Sequence, residues 1–324
     1  MLGSVSNLEG VSVTVAALIA QRHRDGSRPG ARTDDARLAL VIEGGSTRGA
    51  YSHGMVTALE ELGLTDCFDA VYGASAGALN GAWLLCGRAA DAWRAWHPTV
   101  INRVISPARA LRGGRVVDTR FLVHAVYERI VPMDFPAILA NPITFHPIAT
   151  DTADGTAVDL HPYLTDAPSL QRALRATTCL PILAGRSVRV GERRYVDAGL
   201  SESVPVRTAF AQGATHALVL RTRRADEPLT TPSRLETHLV ARFLSRHAPG
   251  TVDSWMTRDE LQRREEAEMT ANPAVLQIRP PTGAPSIGRI GRDAAIIRRA
   301  LEVGRTVAVE ALTPHLPIQL ASGA

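Results

Sequence analysis

Two apolar runs, each leading into a glycine-bearing turn and then a helical pattern, constrain this chain more than any other feature. The first, LALVIE (residues 38–43), is a continuous apolar stretch of the kind buried on both faces of a parallel sheet. GGSTRG follows, and then AYSHGMVTALEELG, where Met55, Ala58, Leu59 and Leu62 recur with helical spacing and Gly63 supplies a stop. The second run, FDAVYGAS (residues 68–75), leads into the helical AGALNGAWLLCGR. Strand, helix, strand and helix in this order predict a βαβα unit with a right-handed crossover. Strands joined in this way end on the same edge of a sheet, so the two turns are expected side by side.

The second turn reads Gly73-Ala74-Ser75-Ala76-Gly77, a G-x-S-x-G between strand and helix. Gly73 and Gly77 relieve crowding at a sharp elbow that lifts the Ser75 hydroxyl above the sheet edge. The helix N-terminus beneath it favours developing negative charge. The structural alternative is a small-residue turn closing helix against strand. The first turn, Gly44-Gly45-Ser46-Thr47-Arg48-Gly49, is not G-x-G-x-x-G, so a dinucleotide site is not expected. Its consecutive backbone N–H groups can still form an anion nest. Beside a serine hydroxyl, that pairing is what acyl transfer asks of an oxyanion hole and a nucleophile.

A serine nucleophile needs a base, and the common one is a histidine oriented by a carboxylate. The histidines sit in poor contexts: His53 within the first helix, His97, His146 and His161 each before Pro, and His216 opening a strand. Asp197 is the better candidate. It follows the strand pattern RRYV and opens Asp197-Ala198-Gly199, a small-residue loop able to bring a carboxylate close to another backbone. The alternative there is an Asp capping its own turn.

Composition removes several chemistries. All 36 basic residues are Arg, with no Lys in the chain. Schiff-base and pyridoxal chemistry, which need a lysine amine, and a Walker A loop are thereby excluded. Cys67, Cys86 and Cys179 are widely spaced, so neither a disulfide framework nor a zinc site is expected. The net charge of +4 is too small to argue for nucleic-acid binding. No apolar run approaches the ~20 residues of a membrane-spanning helix. The early run over residues 11–20 is broken by Ser12 and Thr14 and lacks a basic stretch before it, so a secretory signal is not expected.

Along the chain, residues 1–37 read as a short amphipathic leader followed by a flexible polar linker from residue 21. Further strands are expected at residues 143–150, 188–190, 194–196 and 216–222, and helices at 169–177 and 204–212. Residues 151–155, DTADG, lack calcium-loop spacing and read as a hairpin turn, and no metal is implied. From residue 226 to 324 the pattern is polar, charged and mainly helical. Trp83, Trp93 and Trp96 fit either a core or the lining of an acyl pocket.

Taken in order, EGGSTRGAYSHG, VYGASAGALN, ALRATTCLP and RYVDAGLSESVPV resemble the patatin-like phospholipases, a family of lipid acyl hydrolases. The resemblance covers roughly residues 38–222, placing a catalytic domain at 38–225. A weaker likeness, through RREEAEM, QIRPP and GRDAAIIRRALEVG, links the C-terminal part to the extension of a bacterial patatin subgroup. The resemblance implies a three-layer α/β/α sandwich with a mostly parallel central sheet and a Ser–Asp dyad without His. Ser75 is then the nucleophile, Asp197 the base, and Gly44, Gly45 and Ser46 the oxyanion amides, with Arg48 supporting that loop. It further implies a lipid or other ester substrate, no cofactor, and a cytoplasmic protein that contacts membranes at the periphery; the oligomeric state stays open. An acyltransferase on the same fold and a catalytically weak binding protein are the competing readings. Two positions depart from the family pattern. Ser46 stands where a third Gly is usual, and Ala198 stands in an Asp-Gly position and loses free access to positive φ.

Overall fold

The computed structural model describes residues 13–227 and 233–316. The leader residues 1–12 lie outside the described residues. Eight strands form one sheet in the order β5-β6-β3-β2-β1-β7-β8, with β4 paired to β3. The strands are β1 (Leu38–Ile42), β2 (Ala70–Ala74), β3 (Thr144–Asp151), β4 (Ala157–Asp159), β5 (Val188–Val190), β6 (Arg193–Asp197), β7 (His216–Leu220) and β8 (Val275–Ile278). The centre, β3-β2-β1-β7-β8, is parallel throughout, and β4, β5 and β6 add antiparallel pairs at one side.

The helices are α1 (Val15–Arg24), α2 (Gly49–Glu61), α3 (Ala76–Leu85), α4 (Pro98–Val104), α5 (Thr119–Phe121, continuing as a π-helix over Leu122–Ile130), α6 (Phe135–Ala140), α7 (Ala167–Thr177), α8 (Val206–Ala211), α9 (Arg234–His247), α10 (Val252–Ala271) and α11 (Ala294–Leu312). Strands β1 and β2 are buried on both faces, which is why their sequences run apolar without alternation. Leu38, Leu40 and Ile42 pack toward α1, α2, α3 and α11. Ala39 and Val41 pack toward α8 and Met269 of α10. The architecture is thus a three-layer α/β/α sandwich.

One expectation needs correction, and another is borne out and extended. The stretch expected as a flexible linker is fastened to the sheet. Arg22, its side chain fully buried, reaches Asp34 at 2.6 Å and Asp69 at 2.7 Å, and Arg32 reaches the other Asp69 oxygen at 2.7 Å. Asp69 also accepts the Leu38 N–H that opens β1. Sequence periodicity carries no trace of such a polar clasp. The C-terminal segment, expected as mainly helical, also contributes a strand: β8 extends the parallel sheet beside β7, with Leu218 opposite Leu276. Its helix α11 crosses α2 with a glycine on each side. A Cβ at Gly54 would lie 2.0 Å from the Leu301 carbonyl oxygen, and one at Gly304 2.0 Å from that of Tyr51. Among the described residues, no helix is long and apolar enough to cross a membrane.

Candidate active site

The site follows from the parallel register of β1 and β2. Ile42 lies opposite Gly73, so both chains leave the sheet at one level. Past that level β1 turns into the glycine loop and β2 into the elbow. Ser75 occupies the elbow with φ 51° and ψ −124°, a left-handed conformation outside ordinary helix or strand, at the N-terminus of α3. The flanking glycines make this turn sterically feasible. A Cβ at Gly77 would lie 2.2 Å from the Ile42 carbonyl oxygen, and one at Gly73 2.5 Å from the Cα of Ala78.

The opposing carboxylate comes from the antiparallel part of the sheet. β3 runs beside β2, with Ala74 opposite Ile148, and β6 returns along β3 with Asp197 opposite Ala149. This brings Asp197 to the level of Ser75, whose hydroxyl donates to Asp197 Oδ2 at 2.6 Å. The other oxygen, Oδ1, accepts the Gly199 N–H at 2.8 Å. A Cβ on Gly199 would come within 2.9 Å of that oxygen, so a side chain there would push the carboxylate aside. Ala198 sits in a short 3-10 turn and is absent from the positive-φ residues, so its departure from the family pattern carries no conformational penalty.

Both groups are buried, with relative exposures of 5% for Ser75 and 3% for Asp197. Burial pushes the Asp197 carboxyl up from 3.8 to about 6, against the lowering effects of the Ser75 hydroxyl, the Gly199 N–H and the Arg289 charge. Thr177 completes the arrangement in a way the sequence did not disclose. Its hydroxyl accepts the Ser75 N–H at 2.8 Å and donates to the Ile148 carbonyl, tying the elbow to β3.

The glycine loop supplies fewer free amides than expected. The Gly44 N–H donates to the Ser203 carbonyl at 3.0 Å and is therefore committed. Gly44 instead permits close approach: its missing Cβ would meet the Ala74 carbonyl at 3.0 Å and Ser75 Cβ at 3.1 Å. The N–H groups of Gly45, Ser46 and Ala76 donate to no acceptor among the described residues. Ala76 was not anticipated, although a residue following the nucleophile often serves this way. Arg48 lines the same cavity as Ser75 and Asp197, and its Nε is buried without a partner. Loop stability comes from Glu43 and Thr222. The Glu43 carboxylate accepts Arg221 Nε at 3.0 Å and the Thr222 N–H at 2.6 Å, and the Thr222 hydroxyl donates to the Gly44 carbonyl at 2.8 Å.

Ser46 lies at φ 53°, in the left-handed region where an L side chain costs about 1 kcal/mol. Ser46→Gly is therefore expected to keep the backbone N–H at this position and to leave folding stability unchanged or raise it by up to about 1 kcal/mol. Denaturant unfolding and ester turnover check this; lost turnover in a folded variant assigns a role to the hydroxyl.

No histidine lines either cavity that contains Ser75. His53 is buried against Asn80 at 3.2 Å, and burial lowers it to about 4. His146 pairs with Asp159 at 2.7 Å near the start of β3. His216 bonds Thr215 and the Val13 carbonyl.

Two cavities meet at Ser75. One, of about 440 Å³, holds the glycine loop, Asp197 and several arginines. The other, of about 80 Å³, is apolar, walled by Leu79, Trp83, Ile101, Val104, Val117 and Tyr127. Trp83 is both core and cavity wall, Trp96 joins it there, and Trp93 is exposed. Among the described residues, no cluster of three or more His, Cys, Asp or Glu is arranged to hold a metal ion.

A family model described as patatin-like phospholipase matches residues 40–210. The protein YjjU of Escherichia coli (strain K12), described as uncharacterized, is 29% identical over 188 residues, covering 57% of this chain and 52% of its own. The match thus takes in about half the length of that relative. Among solved structures, VipD from Legionella pneumophila is similar with a TM-score of 0.42 and 12% identity, covering 87% of this chain and 67% of that one. Human GIVD cytosolic phospholipase A2 is similar with a TM-score of 0.42 and 13% identity, covering 93% of this chain and 63% of that one.

Proposed function

This chain belongs to the patatin-like phospholipase family, and from that premise we propose that it is a serine acyl hydrolase of lipid carboxylic esters. The observation that carries the proposal is the Ser75 hydroxyl, hydrogen-bonded to a buried Asp197 at 2.6 Å beside unpartnered backbone N–H groups.

The reaction proceeds in two halves. Ser75 Oγ bonds to the ester carbonyl carbon while its proton passes to Asp197. The carbonyl oxygen gains the negative charge and accepts hydrogen bonds donated by the N–H groups of Gly45, Ser46 and Ala76. Collapse expels the alcohol, which takes the proton from Asp197 and leaves an acyl ester on Ser75. Water then attacks that ester, gives its proton to Asp197, and frees the acid as Ser75 recovers its proton. An aspartate at its ordinary pKa is a weak base for this work, and burial is the correction. The apolar cavity suits an acyl chain, and the exposed Ile182, Leu235 and Leu239 around the larger cavity support peripheral contact with a lipid surface.

The direct test is acid release from a panel of esters and phospholipids, comparing wild type with Ser75→Ala. Loss of labelling by a fluorophosphonate probe in the variant reports on the same hydroxyl. A folded Ser75→Ala protein with full turnover overturns the reading.

The pH profile gives a second test. Asp197 must be ionised to accept the proton, so kcat/KM on a neutral ester is expected to fall as the pH drops through about 6. The limb should persist in His53→Ala and His216→Ala. A limb that vanishes together with activity in either folded variant assigns the base to that histidine.

A further inference from the structure

The cavity that meets Ser75 on its apolar side is small. At about 80 Å³ it has roughly half the room of a ~150 Å³ protein cavity that holds one benzene ring, so it takes about three carbons. The cavity on the other side, at about 440 Å³, is more than five times larger. An ester carbonyl held at Ser75 therefore has a short space on one side and a long one on the other.

The walls of the small cavity are fixed. Leu79 and Trp83 line it from α3, one and two turns along from Ser75. Trp83 meets Tyr127 edge to face, with ring centroids 5.2 Å apart at 80°, and both rings are buried. Tyr127 owes its place to the winding of its helix. Leu122–Ile130 is π-helical, with bonds spanning five residues, and Leu122 and Tyr127, five apart, both line the cavity. At α-helical winding the same spacing leaves two side chains about 140° apart, and the pair would face different ways. Another wall comes from the chain over residues 101–117, and main chain holds it down. Ile105 bridges Val117, the Val117 N–H donates to the Leu183 carbonyl at 2.9 Å, and the Asp118 N–H donates to the Val104 carbonyl at 2.9 Å. Close-packed walls of this kind do not spread to admit added methylenes without strain.

We propose that Tyr127 and Trp83 set the acyl length, and that the preferred substrates are esters of short acids, about two to four carbons with the carbonyl included, whose large part is the alcohol. This rests on the serine hydrolase reading and names the acyl part of its substrate. The short acyl group fills the small cavity, and the leaving alcohol occupies the larger one. Each methylene that fits raises kcat/KM about fourfold. The first that does not fit must displace the Trp83–Tyr127 pair.

The experiment measures kcat/KM on nitrophenyl acetate, butyrate, hexanoate and octanoate, each kept below its aggregation concentration. In wild type the value is expected to rise about tenfold from acetate to butyrate and to fall at least about tenfold from butyrate to octanoate. Tyr127→Leu and Tyr127→Ala remove the ring and are expected to raise the octanoate-to-butyrate ratio at least about tenfold. Val117→Leu fills the cavity instead and is expected to cut the butyrate-to-acetate ratio about fourfold or more. The two kinds of variant move the profile in opposite directions, so loss of folding in one leaves the other to decide. A second measurement does not need turnover: calorimetric binding of methyl octanoate to Ser75→Ala and to Ser75→Ala/Tyr127→Leu. The ester should bind about tenfold more tightly to the double variant.

A wild-type profile that climbs steadily through octanoate overturns the length limit and assigns the acyl chain to the larger cavity. So does a profile unchanged in the folded Tyr127 and Val117 variants. In both cases Ser75-dependent hydrolysis persists and the hydrolase reading stands. If no ester is cleaved at any length, the hydrolase reading fails, and the binding comparison alone decides whether Tyr127 limits the cavity.

Discussion

Ser75→Ala is expected to lower ester turnover by at least ~10³, and Asp197→Asn by a similar factor. The two groups share one hydrogen bond and one proton, so they act as a unit. The double variant should therefore be little worse than either single one. Multiplied losses in the double variant would mean that each acts alone. The Asn variant also controls for folding. Burial holds the native Asp197 carboxyl near about 6 against 3.8 in the free chain. Between these values the native protein binds the proton and the unfolded chain does not. Stability from this group is thus full at low pH and lost as pH rises through about 6. Asp197→Asn removes that loss, so at pH 8 the variant should melt no lower than wild type while remaining inactive.

On the proposed mechanism, Gly45→Val is expected to reduce turnover by ~10² to 10³, the cost of displacing one oxyanion-hole amide. Backbone strain is not the cause, since Gly45 has φ 167°, which any residue adopts. Contact is the cause. A Cβ there would lie 2.7 Å from Thr222 Oγ1 and 3.1 Å from Arg48 Cβ. Thr222 is anchored to the Gly44 carbonyl and to Glu43, so it cannot yield without moving the loop. Steady-state turnover with circular dichroism checks this. A folded, fully active Gly45→Val protein removes the glycine loop from the mechanism.

The parts of this architecture legible in the sequence are those governed by local rules. Continuous apolar runs marked β1 and β2, helical spacing marked α2, and the glycine pairs marked both turns. The family resemblance of the motifs implied the pairing of Ser75 with Asp197, and the structure brings the two within hydrogen-bond distance. What stayed hidden depends on partners far along the chain. The Gly44 N–H is spent on Ser203, and the Ser75 N–H rests on Thr177. Arg22 clasps Asp34 and Asp69, β8 joins β7, and Arg289 enters the site from the C-terminal segment. Apart from the short β8 ladder, each rests on the side chain or amide of one residue without period, and a single residue in a polar stretch carries no sign of the carbonyl or carboxylate it will meet.

The crossing of α2 and α11 bears on how such a protein can change over generations. Gly54 and Gly304 each face the other helix's backbone with no room for a methyl group. A side chain at either position forces the helices apart, and a change on the partner cannot restore the fit, because the obstacle is main chain. The two positions are therefore one inherited condition, and the part of the chain that carries Ser75 and Asp197 cannot exchange its tail for another unless the new tail brings a glycine to the same point. Helix α2 starts where the glycine loop ends, so a tail seated wrongly would be felt first at the amides of Gly45 and Ser46.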